Sequence, residues 1–489
     1  MDHFFAIVLF PNSELLRFLR NLKLSLPFSG NLLDMSCRYI PSLIRNAPRL
    51  KTRGIEILRD PRTNKGSSYT LHERQLLGIH GLLPPNPQNQ DVEEQRVISN
   101  LYQLDDNLSR YMMLMSLQDL NEKLFYRTIR THLEYCLPLI YTPTVGLACL
   151  NFGFVFRRPR GHIFTLLKNW PADTIKTVVM TDGERILGFG DMGANGMAIP
   201  LSKAVLYTAL GGLQPYHCLP VMLDVGTNNE KLLEASIGIA RLLVQAIMEE
   251  GFSEDEAKSR IFIMDSKGLI VTSHELSAAK SEFARSDYPK VDSLLEAIRL
   301  IRPSVLIGAS GQSGAFTRDI LRELSTIHKT PIIFVLSNQS NLGECTSQMA
   351  YKATEWRCIF VSGSSSEPVR TPDDRLLKPS QGNNCYVFPS LVNALSLAVI
   401  RPLTYKLLLT AAKKLSELVT DDDIRQGSMY PSIARLPTIT KEVSCAIMEQ
   451  AYKDKIAFFT PEPYNKMEFI ESYYYDHRYI NFTPDQYVW

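Results

Sequence analysis

The sequence predicts an α/β protein with a doubly wound parallel sheet, a helical N-terminal domain and a C-terminal helical extension. Three observations lead to this prediction. Apolar residues recur at helical spacing through residues 70–150, short continuous apolar runs separated by helical segments follow from about residue 175, and helical spacing returns after about Pro402. Continuous apolar strands that alternate with helices are typical of a parallel sheet covered on both faces.

The helical N-terminal region begins with a recognisable cap. The segment T-L-H-E-R-Q-L-L-G-I (70–79) opens with Thr70, and Glu73 follows three residues later, which is the capping-box pattern. Apolar residues at helical spacing continue through 111–129. The segment 82–90 is predicted as a loop because it is rich in proline.

Six apolar runs are predicted as strands of the sheet, with both faces buried. Each run ends in glycine or in a small polar or acidic residue, and the runs lie at 177–183, 221–226, 261–266, 304–310, 332–338 and 358–364. A helix is predicted at 234–247. Because open α/β sheets bind ligands at the carboxyl ends of their strands, we expect a binding site along that edge.

Composition narrows the class of protein. The 489 residues are 45% hydrophobic and 21% charged, which is typical of a globular protein. The formal net charge is only +2, so the chain does not have the excess of basic residues that nucleic-acid-binding proteins have. No apolar run approaches the ~20 residues of a membrane span, so we expect no membrane segment. The eight cysteines include no C-x-x-C pair, which favours buried thiols in a reducing compartment.

Residues 1–50 form a possible targeting segment. No acidic residue occurs from Ser36 to Ile55, whereas arginine and lysine recur there at Arg38, Arg45, Arg49, Lys51 and Arg53. Arg-rich, acid-poor sequence ahead of a domain is typical of mitochondrial presequences and predicts the mitochondrial matrix. The alternative is a solvated or partly helical tail on a cytoplasmic protein.

Three residues have side chains suited to acid–base chemistry on a small dicarboxylate. Tyr141 lies in I-Y-T-P-T-V-G-L-A-C, Arg185 in T-D-G-E-R-I-L-G-F-G, and Lys203 ends D-M-G-A-N-G-M-A-I-P-L-S-K. Together a phenol, a guanidinium and an amine provide a general acid, a carboxylate clamp and a base of adjustable pKa. On spacing alone, Tyr141 could pack at a helix end and Lys203 could be a solvated helix residue.

Two further patterns suggest nucleotide binding without establishing it. The segment Gly188–Gly193 matches G-x-G-x-x-G, follows an apolar stretch and precedes a predicted helix. Asp265 ends the run R-I-F-I-M-D, and an acid at a strand end can hydrogen-bond a ribose hydroxyl. A turn or a helix N-cap is the other interpretation of Asp265.

These stretches resemble malic enzymes, the NAD(P)-dependent decarboxylating malate dehydrogenases, from about Lys51 to Trp489. The resemblance implies oxidation of malate and its decarboxylation to pyruvate, with Lys203 as the base and Tyr141 as the acid. It assigns Gly188–Gly193 to the substrate domain. It also implies substrate contacts from Arg185, Asn338, Asn383 and Asn384, and cofactor contacts from Arg185, Asp265 and Asn338.

The resemblance further implies a division into domains. After the possible targeting segment come a helical domain (51–160), a malate-binding domain in two parts (161–233 and 384–455), an NAD(P)-binding domain (234–383) and a C-terminal extension (456–489). A homodimer or homotetramer is expected, since members of this family commonly assemble as pairs of dimers.

Two departures from the family pattern concern the cofactors. Mg²⁺ or Mn²⁺ is expected in the family, but its E-D-F and N-D-D ligand motifs do not occur here, so no metal ligand is assigned. The strand and G-A-G loop that should precede the helix at Glu234 are also missing. The alternative function is therefore an inactive, shortened chain that acts at most as an assembly subunit. Loss of a strand also predicts low thermal stability or aggregation.

Overall fold

The segments that position the candidate site fall into two compact units. In a computed structural model, the described residues are 6–7, 53–155, 162–163, 175–183, 186, 192–222, 234–265, 268–272, 281–308, 313–336, 343–363 and 366–482, with the backbone alone described at 6–7, 162–163, 234–238 and 265. The terminal unit comprises residues 7–179, 197–221 and 463–489. The central unit comprises residues 1–6, 180–196 and 222–462.

Among the described residues, helices form the larger part of the regular secondary structure of both units. In chain order they are α1 (Ile55–Arg59), α2 (Leu71–Leu76), α3 (Gln90–Tyr102), α4 (Asn107–Leu120), α5 (Glu122–Thr131), α6 (Leu133–Ile140), α7 (Thr144–Leu150), α8 (Phe152–Val155), α9 (Ala198–Ala209), α10 (Glu234–Glu249), α11 (Glu254–Ser259), α12 (Leu294–Ile301), α13 (Arg318–Ile327), α14 (Ser347–Ala353), α15 (Phe388–Leu397), α16 (Tyr405–Glu417), α17 (Asp421–Arg425), α18 (Leu436–Lys453) and α19 (Lys466–Tyr473). The helix predicted at 234–247 is confirmed as α10.

The predicted capping box is present at the start of α2. The hydroxyl of Thr70 accepts a hydrogen bond from the backbone N–H of Glu73, and the Glu73 carboxylate accepts one from the backbone N–H of Thr70 at 2.9 Å. The cap therefore satisfies backbone donors that the first helical turn leaves unpaired.

Twelve short strands are described. They are β1 (Ala6–Ile7), β2 (His162–Ile163), β3 (Thr177–Thr181), β4 (Cys218–Met222), β5 (Met264–Asp265), β6 (Gly268–Leu269), β7 (Val305–Gly308), β8 (Ile332–Val335), β9 (Ile359–Ser362), β10 (Val369–Arg370), β11 (Leu376–Leu377) and β12 (Ser380–Gln381). One four-stranded sheet has the order β1-β3-β4-β2, and another has the order β12-β9-β8-β7. The strand pairs β5–β6 and β10–β11 are antiparallel.

The sheet β12-β9-β8-β7 is parallel and confirms the predicted α/β class for the central unit. Leu306, Ile333 and Phe360 from successive strands are buried in one cluster with Leu321 and Leu324 of α13. Burying a Leu or Ile side chain contributes about 1.5–3 kcal/mol, so this apolar layer is what holds the helices to the sheet.

Two of the strand predictions are wrong in detail. The strand β7 lies at the edge of its sheet, where Val305 and Ile307 are 39% and 37% exposed instead of buried on both faces. The run at 261–266 contributes to the hairpin β5–β6, in which Met264 pairs with Leu269. A parallel neighbour requires a crossover of a dozen or more residues, whereas here the chain pairs with itself within five.

The terminal unit is held together by its own C-terminal segment. Residues 474–482, which we call the C-terminal strap, lie against α2, α3 and α5. Lys65 forms a buried ion pair with Glu73 at 2.6 Å and also donates to the carbonyl of Ile480, while the N–H of Phe482 donates to Glu73. Burial lowers the pKa of Lys65, and hydrogen bonding to Glu73 opposes that shift.

One stretch of the described residues, Leu133–Leu150, is apolar and long enough to cross a membrane. Two thirds of it is buried inside the protein, and it is divided into α6 and α7, which pack against α4. This is weak evidence for a span, because core helices of soluble proteins meet the same criteria.

Candidate active site

Tyr141 lies at the junction between α6 and α7. Its backbone N–H donates to the carbonyl of Leu137 at 2.9 Å, and its own carbonyl accepts from the N–H of Val145 at 2.8 Å. The residue is 1% exposed. Backbone bonds on both sides therefore fix the point from which the phenol projects into the interior of the terminal unit.

Lys203 lies in the middle of α9 and is 3% exposed. This burial rules out the interpretation of Lys203 as a solvated helix residue. Lysine is almost never fully buried without a partner or a task, so its position is what the acid–base hypothesis requires.

The helix that follows Tyr141 packs against the helix that carries Lys203. Cys149, in the last turn of α7, accepts hydrogen bonds from the backbone N–H groups of Ala198 and Ile199 at the start of α9. Burial raises the pKa of the Cys149 thiol to about 12, and these two donors only partly oppose the shift. The junction that carries Tyr141 therefore leads directly into the helix, α7, that packs against the helix of Lys203 in the terminal unit.

The segment that carries Arg185 belongs to the central unit, and Arg185 itself lies outside the described residues. The two ends of this segment meet at Gly183 and Gly193, where the N–H of Met192 donates to the carbonyl of Gly183 at 2.8 Å. Gly183 has φ +78°, and a Cβ there would lie 2.1 Å from the carbonyl oxygen of Gly193. Only glycine fits this crossing of the backbone.

The remaining predicted contacts lie in the central unit. Asn383 is buried, and its side-chain oxygen accepts from the N–H of Cys385 at 2.9 Å, which caps a short 3₁₀ helix (384–386). Asn384 is exposed. Asp265 ends β5 beside the hairpin turn, its side chain is not described, and Asn338 lies outside the described residues.

Sequence reasoning did not find the residues that hold α9 in place. Cys149 contacts the start of α9, and Tyr474 of the C-terminal strap donates through its phenol to the carbonyl of Leu210 at the other end. Neither contact has a local sequence signal, because hydrogen bonds between residues distant in the sequence leave no periodicity.

Comparisons with known proteins show the family of this chain. The malic enzyme N-terminal domain model matches residues 118–243, and the malic enzyme NAD-binding domain model matches residues 233–452. An NADP-dependent malic enzyme of Anas platyrhynchos is 38% identical over 89% of this chain and 98% of the relative. A mitochondrial NADP-dependent malic enzyme of Homo sapiens is 36% identical over 93% of each chain. The chain belongs to the malic enzyme family.

A solved malic enzyme, that of Entamoeba histolytica, is similar to this chain with a TM-score of 0.45 and 16% identity, covering 82% of this chain and 92% of the other. Among the relatives in this malic enzyme family, some are mitochondrial and others are not marked as such.

The alignments with malic enzymes are longer than the chain itself. The alignment with the Anas platyrhynchos relative spans 547 positions, whereas the whole chain has 489 residues. The relative therefore has residues without a counterpart here. The two family models overlap at residues 233–243, a range that includes the Leu233–Glu234 junction.

The described residues do not fit the divalent cation expected in a malic enzyme. Within the part of the chain that the structure describes, no group of three or more His, Cys, Asp or Glu side chains is placed to hold a metal. Mg²⁺ and Mn²⁺ require several hard oxygen ligands at fixed geometry. No step of the reaction is therefore assigned to a cation.

Proposed function

We propose that this chain oxidises malate and decarboxylates it to pyruvate, with NADP as the cofactor. One observation carries the proposal: Tyr141 and Lys203 are both buried, and α7, which begins three residues after Tyr141, packs against α9, which carries Lys203. Family membership supports the reaction class, and several relatives are NADP-dependent malic enzymes, which favours NADP over NAD.

The acid and base roles follow from the chemistry of the two side chains. The neutral amine of Lys203 takes the proton from the C2 hydroxyl of malate as the C2 hydride leaves. NADP, when bound, would supply the acceptor for that hydride. After CO₂ is lost, the phenol of Tyr141 delivers a proton to C3 of the enol, which gives the methyl group of pyruvate.

The proposed binding residues divide between substrate and cofactor. Arg185 would hold a malate carboxylate in a bidentate pair and also contact the cofactor. Asn383 and Asn384 would contact malate, Asn338 both ligands, and Asp265 the ribose. Support for these roles comes from matching family motifs in the sequence, and the domain boundaries at 51–160, 161–233 with 384–455, 234–383 and 456–489 are proposed on the same basis.

The test is turnover by the purified chain, free of any full-length malic enzyme. NADPH absorbance and CO₂ release are measured together with L-malate, NADP⁺ and Mn²⁺. Lys203→Ala and Tyr141→Phe are each expected to lower kcat by about 10²- to 10⁴-fold, the usual contribution of a general acid or base. Tyr102→Phe, at an exposed tyrosine of the same unit, is the matched control. Absence of turnover in the unsubstituted chain would reject the proposal.

A second candidate function is favoured by the alignment length and by the poor fit to a cation. Losing every metal contact removes many powers of ten in rate if each contact contributes several kcal/mol. In that case the chain is an assembly subunit without activity. Mixing it with a full-length malic enzyme and measuring mass by light scattering should then show mixed oligomers, whereas separate species would reject this candidate.

Two proposals concern assembly and location. We infer a homodimer or homotetramer when the chain is expressed alone, which sedimentation equilibrium tests directly. We infer the mitochondrial matrix, because residues 36–55 lack acids and some relatives are mitochondrial. A reporter fused after residue 50 that stays in the cytoplasm would reject that location.

A further inference from the structure

The C-terminal strap reaches the end of the helix that carries Lys203. The last turn of α9 ends at Leu210, and helix ends leave carbonyl groups without partners inside the helix. The phenol of Tyr474 donates to the carbonyl of Leu210, and the N–H of Tyr475 donates to the carbonyl of Gly212 at 2.8 Å. Two successive residues of the strap therefore bond to the chain that leaves α9.

The ring of Tyr474 also sets the path of the chain at this point. Gly212 has φ +71°, and a Cβ there would lie 2.5 Å from the Tyr474 ring. The guanidinium of Arg130, on α5, lies over the same ring, 5.6 Å from its centroid. The ring therefore contacts both α5 and the end of α9, and its position and that of the helix end depend on each other.

Tyr475 connects the same point to the rest of the terminal unit. Its phenol donates to the buried carboxylate of Glu122 at 2.9 Å, and its ring packs edge-on against Tyr126 at 5.2 Å. Both partners belong to α5, which packs against α9 and against α6. The end of α9 and the helix that leads to Tyr141 therefore share one set of contacts with the strap.

We propose that Tyr474 is a positioning residue for Lys203. Its phenol and ring hold the C-terminal end of α9 against α5, so that the amine of Lys203, two turns before that end, keeps its depth in the terminal unit. The relevance to malate turnover rests on the proposed function, whereas the positioning itself can be tested without activity.

The test compares how fast Lys203 is methylated by formaldehyde and borane in different variants, read by peptide mass spectrometry. Tyr474→Phe keeps the ring and removes only the hydroxyl. We expect Lys203 to react about three- to tenfold faster, since one net hydrogen bond changes an opening equilibrium by about that factor. The control is Tyr473→Phe, at a tyrosine 43% exposed, which should leave the rate unchanged. Exposed lysines of the central unit, such as Lys413, provide an internal reference.

The pH dependence of the methylation rate separates positioning from a general loss of structure. Tyr474→Phe should shift the profile of Lys203 and leave that of Lys413 in place. If the chain turns over malate, the same variant should lower kcat while the KM for malate stays within about twofold. If the chain does not, the proposed function fails, but the methylation result still decides the role of Tyr474.

Unchanged methylation of Lys203 in folded Tyr474→Phe would overturn the proposal. If that variant does not fold, hydrogen exchange on the unsubstituted chain decides. The amides of Tyr475 and of residues 211–213 should then show the same opening equilibrium, because the strap and the end of α9 open together. An opening equilibrium for Tyr475 more than tenfold larger than for 211–213 would overturn the proposal.

Discussion

The terminal and central units differ in how their outermost elements are secured. In the terminal unit, the C-terminal strap is fixed by a buried ion pair and by phenols bonded to carboxylates, as in the 2.8 Å contact from Tyr479 to Glu93. In the central unit, the edge strand β7 exposes about two fifths of Val305 and Ile307. Polar contacts between residues distant in the sequence secure the terminal unit, whereas in the central unit the edge strand β7 exposes apolar side chains.

This difference indicates which unit would be destabilised more by a loss of residues. The C-terminal strap adds contacts to helices that already pack against one another. An edge strand of a parallel sheet, in contrast, is buried only when a further strand or a helix covers it. The gap inferred next to Leu233 falls in the central unit, ahead of α10. In the part of the chain that the structure describes, no strand pairs with the outer side of β7.

The largest stability effect is expected at the ion pair of the terminal unit. Glu73→Ala leaves Lys65 buried without its carboxylate and should cost about 3–5 kcal/mol in that unit. Guanidinium unfolding followed by hydrogen exchange at α2 and α3 measures the loss, and the amides of β8 in the central unit serve as the reference. A cost below about 1 kcal/mol would remove the contrast between the units.

The next effect compares neighbouring strands within the central unit. Ile333 on β8 is fully buried, whereas Ile307 on β7 is 37% exposed. Ile333→Ala should cost about 2–5 kcal/mol through lost burial and a cavity. Ile307→Ala should cost only about 1–2 kcal/mol, because about a third of the side chain is exposed to water and that part contributes little. Chemical unfolding of the two variants tests this, and equal costs would show that β7 is covered after all.

A smaller effect is expected from acid at the strap. Burial, and next the nearby charge of Arg130, lower the pKa of His477 to about 4, with Arg127 and Arg478 acting in the same direction and Asp476 opposing them. The unfolded state has the ordinary pKa near 6.5 and binds more protons between those values, so stability falls as the pH drops from about 6.5 to 4 and is unaffected by this group above that window.

His477→Gln should remove about 1–2 kcal/mol of that pH dependence, a figure reduced for the solvent access of a half-buried ring. The measurement is the melting temperature of the terminal unit at pH 7 and pH 4.5. His80→Gln, at an exposed histidine, is the control. Parallel slopes for the unsubstituted chain and His477→Gln would contradict the prediction.

The smallest effect on stability should accompany a clear effect on association. Ile307→Lys places a charge on the open edge of the sheet and should leave the free energy of unfolding within about 1 kcal/mol. Light scattering at a fixed temperature should nevertheless show slower aggregation than for the unsubstituted chain. Lys substitution at exposed Leu120, outside this edge, is the control. Equal aggregation rates for the two variants would separate β7 from the association surface.

The parts predicted from sequence are those with a local signal. The capping box of Thr70 and Glu73, the helix α10 and the parallel strands β7, β8 and β9 follow from side chains a few residues apart. The exposure of β7 was missed because an apolar run shows that a strand prefers burial, not whether a neighbour exists to bury it. The hairpin at Met264 was missed because a short apolar run has the same pattern in a hairpin as in a parallel sheet.

The candidate site also has residues that the sequence predicts and contacts that it does not. Family motifs located Tyr141 and Lys203, and their burial agrees with the proposed chemistry. The contact from Tyr474 to Leu210 joins residues 264 positions apart, and no sequence pattern in either segment predicts it. The residues proposed to react are marked by family motifs in the sequence, whereas the proposed positioning contact depends on packing between distant segments.

The strap has a consequence for the order of events during translation. Lys65 and Glu73 are synthesised about 400 residues before Ile480 and Phe482, whose backbone groups complete their hydrogen bonds. At about 5–20 residues per second, the ribosome needs roughly 20–80 seconds to cover that distance. The first helices must therefore remain incompletely bonded, and accessible to chaperones, until Ile480 and Phe482 have been synthesised.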